Sequence, residues 1–453
     1  MSRMDLEAAV IQALDATIAA GAGDAEAYAI SETGREVRVH AGEVESLAAA
    51  TGRGIGIRAW IDGQVGFSYG TDLSPDGLSV IARRAATAAR IADADEFAAP
   101  PQPGGEAPKI EGLSDDSVTS WSSDRVVELA LAVERTALDA DDRIAGVEQT
   151  VYADSSERVA IASSTGVQGS YEASSAFSYL QAMAQGNGST ETGLGFGLAR
   201  GPEGLHPREI GSEAAERALS MIGASKPPSR TCPVVLEPTV AASFAGFIGS
   251  MLGADAVQRG RSPFAERLGD EIASKALVLA DDGLDSVGLG SSPFDGEGLP
   301  RSRTPLISGG KLQTFLHDSY TARRGQADST ASAGRGGYRS QPSVSASNLV
   351  VDAGKESLDG LFAAAEGGVF VTDVAGLHSG VNPVSGVFSV GASGRVISGA
   401  ELGDPVREFT IASDLVSMLR AISAAGSEAR WVPFGGSVRT PPLLVAEMSI
   451  GGS

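Results

Sequence analysis

The sequence predicts an α+β protein with two domains: an N-terminal α/β sandwich-like domain over residues 1–225, and a largely antiparallel β domain with a few helices over residues 226–453. A chain of 453 residues is too long for one ordinary compact core. Helical and two-residue apolar spacings follow one another without the regular strand–helix alternation of a parallel doubly wound sheet. The 58 glycines favour turns and bends over long helices.

The first predicted element is a helix, whose apolar face at helical spacing consists of Leu6, Val10, Leu14 and Ile18. Short strands follow, and Asp62-Gly63 separates two runs of alternating apolar residues, which is a strong signal for a hairpin. The Pro/Gly-rich residues 98–108 are predicted to form a long loop within the first domain. Further helices are predicted at 78–92, 126–138 and 207–222, with strand-like runs between 144 and 197.

The segment KPPSR, residues 226–230, is the predicted boundary between the two domains. A short buried strand, TCPVVLEP, comes after it. The next stretch, TVAASFAGFIGSMLG, is small and apolar on all sides, which predicts a well-buried helix. The remainder is predicted to be mainly short strands, interrupted by helices near 357–365 and 414–424.

Composition limits the classes of function. The net charge of −22 argues against direct nucleic-acid binding, because phosphate recognition needs clustered cations. The charge is explained either by solubility or by attraction to basic peptides or a basic partner. Asp5, Glu7 and Asp15 interrupt any apolar signal region, and no stretch reaches membrane-spanning length without charges or glycine clusters. We therefore predict a cytoplasmic protein that contacts no membrane.

No complete active site is visible in the sequence. Zinc hydrolases usually present two histidines one helical turn apart with a glutamate beside one of them. Here Ser308-Gly-Gly-Lys311 suits a hairpin turn better than a nucleophile helix, and Cys232, the single cysteine, precedes a proline in an apolar strand. No pair at helical spacing and no adjacent glutamate occurs among the four histidines, His40, His206, His317 and His378.

Two long stretches carry a more specific pattern. Residues 294–334 contain DGEGLP, SYTAR and STASA, and residues 381–422 contain NPVSG and EFTIA. Both stretches resemble the TldD/PmbA metallopeptidase family, and the likeness extends over essentially the whole chain. The older description of that family as a modulator of DNA gyrase does not imply contact with DNA, and the charge of this chain speaks against such contact.

The resemblance implies a division of labour between two branches that pair in the cell. The TldD branch binds zinc with a His-Glu-x-x-x-His helix and a distal cysteine, whereas the PmbA (TldE) branch, which this sequence resembles, lacks those ligands. The resemblance places Glu237, Pro238 and Ala242 at the three motif positions, and Ser427 near the position of the cysteine. The side chains of proline and alanine have no lone pair to donate to a metal, and one carboxylate alone cannot hold a catalytic zinc ion. We therefore expect no catalytic residue and no metal in this chain, with zinc on the partner.

Two functions remain open. The first is a non-catalytic subunit that forms a heterodimer with a TldD-type zinc metallopeptidase and helps it to degrade or mature unfolded peptides. The alternative is a homodimeric peptide-binding protein without enzymatic activity. In either case, residues that match the family pattern are candidates for lining a substrate cavity or an interface, or else for bracing a helix end and strand bends. These residues are Ser319, Tyr320, Arg323, Ser329, Thr330, Asn382 and Gly386.

Overall fold

The computed structural model describes residues 6–434 and 436–453, so the first five residues of the predicted N-terminal domain lie outside the described part. The predicted α+β class is confirmed. The helices are α1 (Leu6–Ala19), α2 (Pro75–Ala89), α3 (Ser117–Ser120), α4 (Ser123–Leu138), α5 (Pro207–Ser220), α6 (Pro238–Met251), α7 (Ala254–Gln258), α8 (Ser319–Gly325), α9 (Leu358–Ala364), α10 (Leu377–Gly380) and α11 (Leu415–Ala421). Across the described residues, no helix combines the length and the apolar character needed to cross a membrane.

In the described part of the chain, the strands form three sheets of six strands and one strand pair. The first sheet lies entirely before residue 200, and the others lie after residue 229. The strands are β1 (Asp24–His40), β2 (Glu43–Ile61), β3 (Gln64–Gly70), β4 (Ile144–Ser163), β5 (Gln168–Gly186), β6 (Ser189–Ala199), β7 (Arg230–Leu236), β8 (Leu279–Asp282), β9 (Arg303–Ser308), β10 (Lys311–Leu312), β11 (Ala333–Gly334), β12 (Ser343–Val344), β13 (Leu349–Val351), β14 (Val369–Ala375), β15 (Val387–Ser398), β16 (Glu401–Asp414), β17 (Ile422–Ala425), β18 (Arg430–Val432), β19 (Val438–Thr440) and β20 (Leu443–Gly451).

The first sheet is a middle layer. Its strands are antiparallel in the order β3-β2-β1-β4-β5-β6. Successive side chains of a strand point to opposite faces. Ala27 packs in the cluster with α1 and α2, and Val37, on the same face of β1, packs in the cluster with α4 and α5. Tyr28, on the other face, packs with Phe294 of the C-terminal half. Helices therefore cover one face of this sheet and the C-terminal half covers the other.

The strands of this sheet are much longer than the short strands that the sequence predicted. β1, β2, β4 and β5 contain 17, 19, 20 and 19 residues. In β2, every residue from Glu43 to Arg53 is exposed, so this part carries no alternation of apolar and polar residues to reveal it. The predicted hairpin at Asp62-Gly63 is present, with φ angles of 50° and 80° that suit a two-residue turn.

The C-terminal half is largely antiparallel, as predicted, with parallel pairs only at β7–β14 and β13–β19 among its named strands in the described residues. One sheet has the order β16-β15-β14-β7-β20-β17, and an additional β16–β20 pairing closes five of its strands into a ring. The other has the order β10-β9-β8-β13-β19-β18. Helix α6 lies between them, where Phe244 and Ile248 share one core with Leu236 and Leu349.

Candidate functional site

A cavity of about 800 Å³ lies where the N-terminal half meets the C-terminal half. Helix α5 forms one wall, and the start of α6 and residues 357–359 form others. The floor includes Phe370 and Thr372 of β14, and residues 426–430 complete the rim. Volumes of this size are typical of ligand sites. We refer to this space as the α6 cavity.

Ion pairs join the walls of the α6 cavity. Arg217 of α5 contacts Glu237 at 2.7 Å and Glu213 at 3.0 Å, and Arg430 of β18 contacts Glu213 at 2.5 Å. Burial lowers the pKa of Arg217, but the charges of Glu237 and Glu213 outweigh that effect and the pKa is raised overall. The Arg217–Glu237 and Arg430–Glu213 contacts link α5 to two separate elements of the C-terminal half, and the Arg217–Glu213 contact lies within α5.

Glu237 is the N-cap of α6. Its Oε2 atom accepts the backbone N–H of Thr239 at 2.8 Å and also the Thr239 hydroxyl, while its Oε1 atom accepts Arg217 Nη2 at 2.7 Å. Pro238 follows at the first helical position, where its missing N–H costs nothing. Both oxygens of the carboxylate are therefore used inside the protein, and the side chain is only 9% exposed.

The positions that the resemblance compares with zinc ligands do not fit a metal. Glu237, Pro238 and Ser427 line the α6 cavity, whereas Ala242 is fully buried in the adjoining core. The Glu237 oxygens already bond Arg217 and Thr239, and alanine and proline side chains carry no donor atom. Within residues 6–434 and 436–453, no group of three or more His, Cys, Asp and Glu side chains is arranged to hold a metal ion.

The α6 cavity carries an excess of negative charge. Burial, assisted by the charge of Glu237, raises the pKa of the nearby Asp373. Five carboxylates stand against three guanidiniums along the lining, namely Glu213, Glu216, Glu237, Asp359 and Glu428 against Arg217, Arg395 and Arg430. Such a surface attracts cations and positively charged peptide segments.

Two of the predicted residues, Tyr320 and Arg323, lie together in a second cleft of about 300 Å³. Tyr320 donates its hydroxyl to Asp95 Oδ2 at 2.8 Å, and Arg323 donates to the carbonyl oxygens of Phe97 at 2.7 Å and Ala99 at 2.6 Å. These bonds hold α8 against a loop of the N-terminal half. Both side chains line a cleft and also brace a helix.

Ser319 is the first residue of α8, and Ser329 and Thr330 lie in the loop that follows this helix. The backbone N–H of Ser319 donates to Glu297 Oε2 at 2.9 Å. The Ser329 and Thr330 hydroxyls donate to the carbonyl oxygen of His317 at 3.3 Å and 3.1 Å, and Thr330 Oγ1 also accepts the His317 N–H at 2.7 Å. The hydrogen bonds described for these three residues are therefore all made to other groups of the same chain.

Asn382 and Gly386 lie elsewhere, in the turn before β15. Asn382 Oδ1 accepts the N–H groups of Val384 at 2.9 Å and Ser385 at 3.1 Å. Gly386 has φ 75°, in the left-handed region, and its N–H donates to the Asn382 carbonyl oxygen at 2.8 Å. The structure therefore does not bring these two residues to the α8 cluster, and their observed contacts shape a turn.

Sequence reasoning missed a buried charge network behind the second cleft. Arg58 of β2 contacts Glu26 at 2.5 Å and Glu297 at 3.2 Å, and Arg335 also contacts Glu26. Burial, followed by the charge of Glu297, raises the pKa of Asp295 to about 6. Asp295 and Glu297 belong to the DGEG pattern, which is the one feature of the sequence that could have pointed to this network. The network ties the first sheet to the C-terminal half.

Comparison with known proteins shows which family has this architecture. Three models of one family match the chain: PmbA/TldA metallopeptidase domain 1 over residues 25–89, the central domain over 116–222 and the C-terminal domain over 229–452. The chain belongs to the PmbA/TldD family. The relatives are named as metalloproteases, which places the family in the peptidase class.

The chain is 28% identical over 455 residues to "Metalloprotease PmbA" of Escherichia coli O157:H7, covering 99% of this chain and 97% of that protein. It is 25% identical over 429 residues to a "Metalloprotease TldD homolog" of Haemophilus influenzae, covering 88% and 87% of the two chains. Among solved structures, a putative modulator of a DNA gyrase from Thermotoga maritima has a TM-score of 0.90 at 25% identity, over 99% of this chain and all of that one. TldE from Thermococcus kodakarensis shares the fold, with a TM-score of 0.90 at 22% identity, over 98% of this chain and 100% of that one.

Proposed function

We propose that this chain is the non-catalytic subunit of a TldD/TldE-type zinc peptidase, which pairs with a zinc-bearing TldD-type chain to cleave unfolded peptides. The observation that carries the proposal is the start of α6. Glu237 caps the helix and pairs with Arg217 there, so its carboxylate is committed to the fold. In this proposal the zinc belongs to the partner, and no step of hydrolysis is assigned to residues of this chain.

The α6 cavity gives the subunit a role in handling peptide. Its volume of about 800 Å³ accommodates a few residues of an extended chain, and its apolar floor includes Phe370. The excess of carboxylates favours segments that carry lysine, arginine or a free amino terminus. This chain would therefore concentrate and orient peptides next to the partner's site.

The same cavity supports a second candidate, a homodimeric peptide-binding protein without an enzymatic partner. The two candidates differ in a feature of the genome: the first needs a paralogue with a His-Glu-x-x-x-His helix, and the second does not. They also differ in the expected activity. If this chain binds peptide, and no mixture of it with a TldD-type chain cleaves that peptide, the second candidate is favoured.

The deciding experiment measures metal content and cleavage of an unfolded basic peptide, first with this chain alone and then with the TldD-type chain added. We expect the chain alone to hold less than a stoichiometric amount of zinc and to be inert, and the mixture to be active. A TldD-type variant that lacks one zinc ligand is the control and should leave the mixture inactive. Stoichiometric zinc together with cleavage by this chain alone contradicts the proposal.

A further inference from the structure

A further cavity, of about 460 Å³, lies at the C-terminal end of α6, where Gly246 and Gly249 form part of its wall. This cavity adjoins the second cleft, because Asp255, Arg259 and Val344 line both spaces. Neither space shares a lining residue with the α6 cavity. We call the two adjoining spaces together the arginine cleft.

Two arginines reach the arginine cleft from the turn that ends α7. Gly260 has φ 67°, in the left-handed region, and its N–H donates to the carbonyl oxygen of Val257 at 3.0 Å. The N–H of Arg261 donates to the carbonyl oxygen of Ala256 at 2.8 Å. These two bonds form a Schellman motif, which favours glycine because glycine has no Cβ. The turn brings Arg259 and Arg261, on either side of Gly260, to the same cavity.

The arginine cleft carries an excess of positive charge, opposite to that of the α6 cavity. Arg261 and Arg324 are exposed and form no ion pair within the described residues. The ion pair of Arg259 with Asp255 is long, at 3.9 Å, and an exposed pair of this kind does little to neutralise a cation. Five guanidiniums stand against three carboxylates along the lining, namely Arg58, Arg259, Arg261, Arg323 and Arg324 against Asp255, Glu297 and Asp318. A chain whose net charge is −22 therefore contains a site that attracts anions.

The arginine cleft also contains a hydrogen-bond acceptor without a donor. Gln258 lines the cleft, and its Nε2 atom donates to the carbonyl oxygen of Thr321 at 2.8 Å, which fixes the orientation of the amide. Its Oε1 atom is buried and has no hydrogen-bond partner among the described residues. A buried acceptor without a donor is unfavourable, and an N–H group of a ligand in the cleft can supply that donor. An inorganic anion such as sulfate has no N–H group, whereas a peptide has both N–H groups and a carboxylate.

We propose that the arginine cleft binds a peptide through a carboxylate held by Arg259 and Arg261, with a peptide N–H donated to Gln258. Leu316 and Leu349 also line the cleft and suit an uncharged side chain next to that carboxylate. The carboxylate belongs either to an acidic side chain or to the C-terminus of the peptide. This inference concerns binding by the chain alone, at a site apart from the α6 cavity, and does not depend on the proposed function.

Fluorescence anisotropy of short labelled peptides, measured with the purified chain alone, tests the ligand class. Each peptide is built from alanine and leucine around two central residues: glutamates with both ends blocked, glutamines with a free C-terminus, or glutamines with both ends blocked. We expect the last, uncharged peptide to bind at least about tenfold more weakly than one of the other two. The tighter of those two shows whether the carboxylate is a side chain or the C-terminus. Equal binding of all three peptides, or binding of none, overturns the proposal.

Charge removal tests the location of the site. Arg259→Gln combined with Arg261→Gln should weaken binding of the preferred peptide at least about tenfold. Arg84→Gln combined with Arg208→Gln is the matched control, because these two arginines are equally exposed and line neither part of the cleft, and it should change the affinity less than about twofold. All four sites are exposed, so thermal unfolding should be unchanged. An equal loss in both double variants, or displacement of the labelled peptide by sulfate as readily as by unlabelled peptide, contradicts the assignment.

Discussion

Glu237→Gln removes the charge that faces Arg217 while it keeps the size of the side chain and one oxygen for the helix cap. The two side chains are 2.7 Å apart, with exposures of 24% for Arg217 and 9% for Glu237. Breaking a fully buried ion pair costs about 3–5 kcal/mol, because the remaining charge is left without compensation. Arg217 keeps Glu213 at 3.0 Å and some contact with water, which reduces the cost. We therefore expect a loss of about 2 kcal/mol in the free energy of unfolding.

Urea unfolding of the purified variant measures this loss. Glu428→Gln is the matched control: Glu428 lines the same cavity, is exposed and forms no ion pair within the described residues, so its free energy should change by less than about 0.5 kcal/mol. Equal stability of the two variants would refute the reasoning that Glu237 is structural. A second readout is the kcat of the mixture with a TldD-type chain. A thousandfold loss of kcat without any loss of stability would instead make Glu237 a catalytic residue.

One further prediction concerns a hydrogen bond between the halves of the chain, and another concerns a buried carboxyl group of the C-terminal half. Tyr320→Phe removes the hydrogen bond to Asp95, which lies 225 positions away, and should lower the free energy of unfolding by about 1 kcal/mol. Amide hydrogen exchange should become faster in residues 95–99 and stay unchanged in α6. A uniform increase in exchange over the whole chain would show that this hydrogen bond is not a local tether. Burial and Glu297 raise the pKa of Asp295 from 3.8 to about 6, so the folded state binds this proton more tightly than the unfolded state does. This contribution to stability, at most about 3 kcal/mol, is fully present below pH 3.8 and is lost as the pH rises through about 6. Asp295→Asn should flatten the dependence of unfolding free energy on pH between 4 and 6, and an unchanged slope would contradict the assignment.

Local patterns in the sequence determined much of the secondary structure. The helix predicted from Leu6 to Ile18 is α1, and the Asp62-Gly63 hairpin is present, because apolar period and turn chemistry act over a few residues. The long strands β1 and β2 were not predicted in full. The exposed residues Glu43–Arg53 carry no alternation, and only their pairing with β1 makes them a strand.

The sequence also determined, through the family pattern, which positions to compare with metal ligands. Only the tertiary structure decided that Glu237 and Ser427 line one cavity. The same holds for the ion pair between Arg217 and the Glu237 carboxylate and for the hydrogen bond from Tyr320 to Asp95. The physical reason is that periodicity and turn chemistry are read from neighbouring residues, whereas the pairing of distant charges depends on which surfaces pack together. That packing follows from the burial of apolar area over the whole chain, which no short segment specifies.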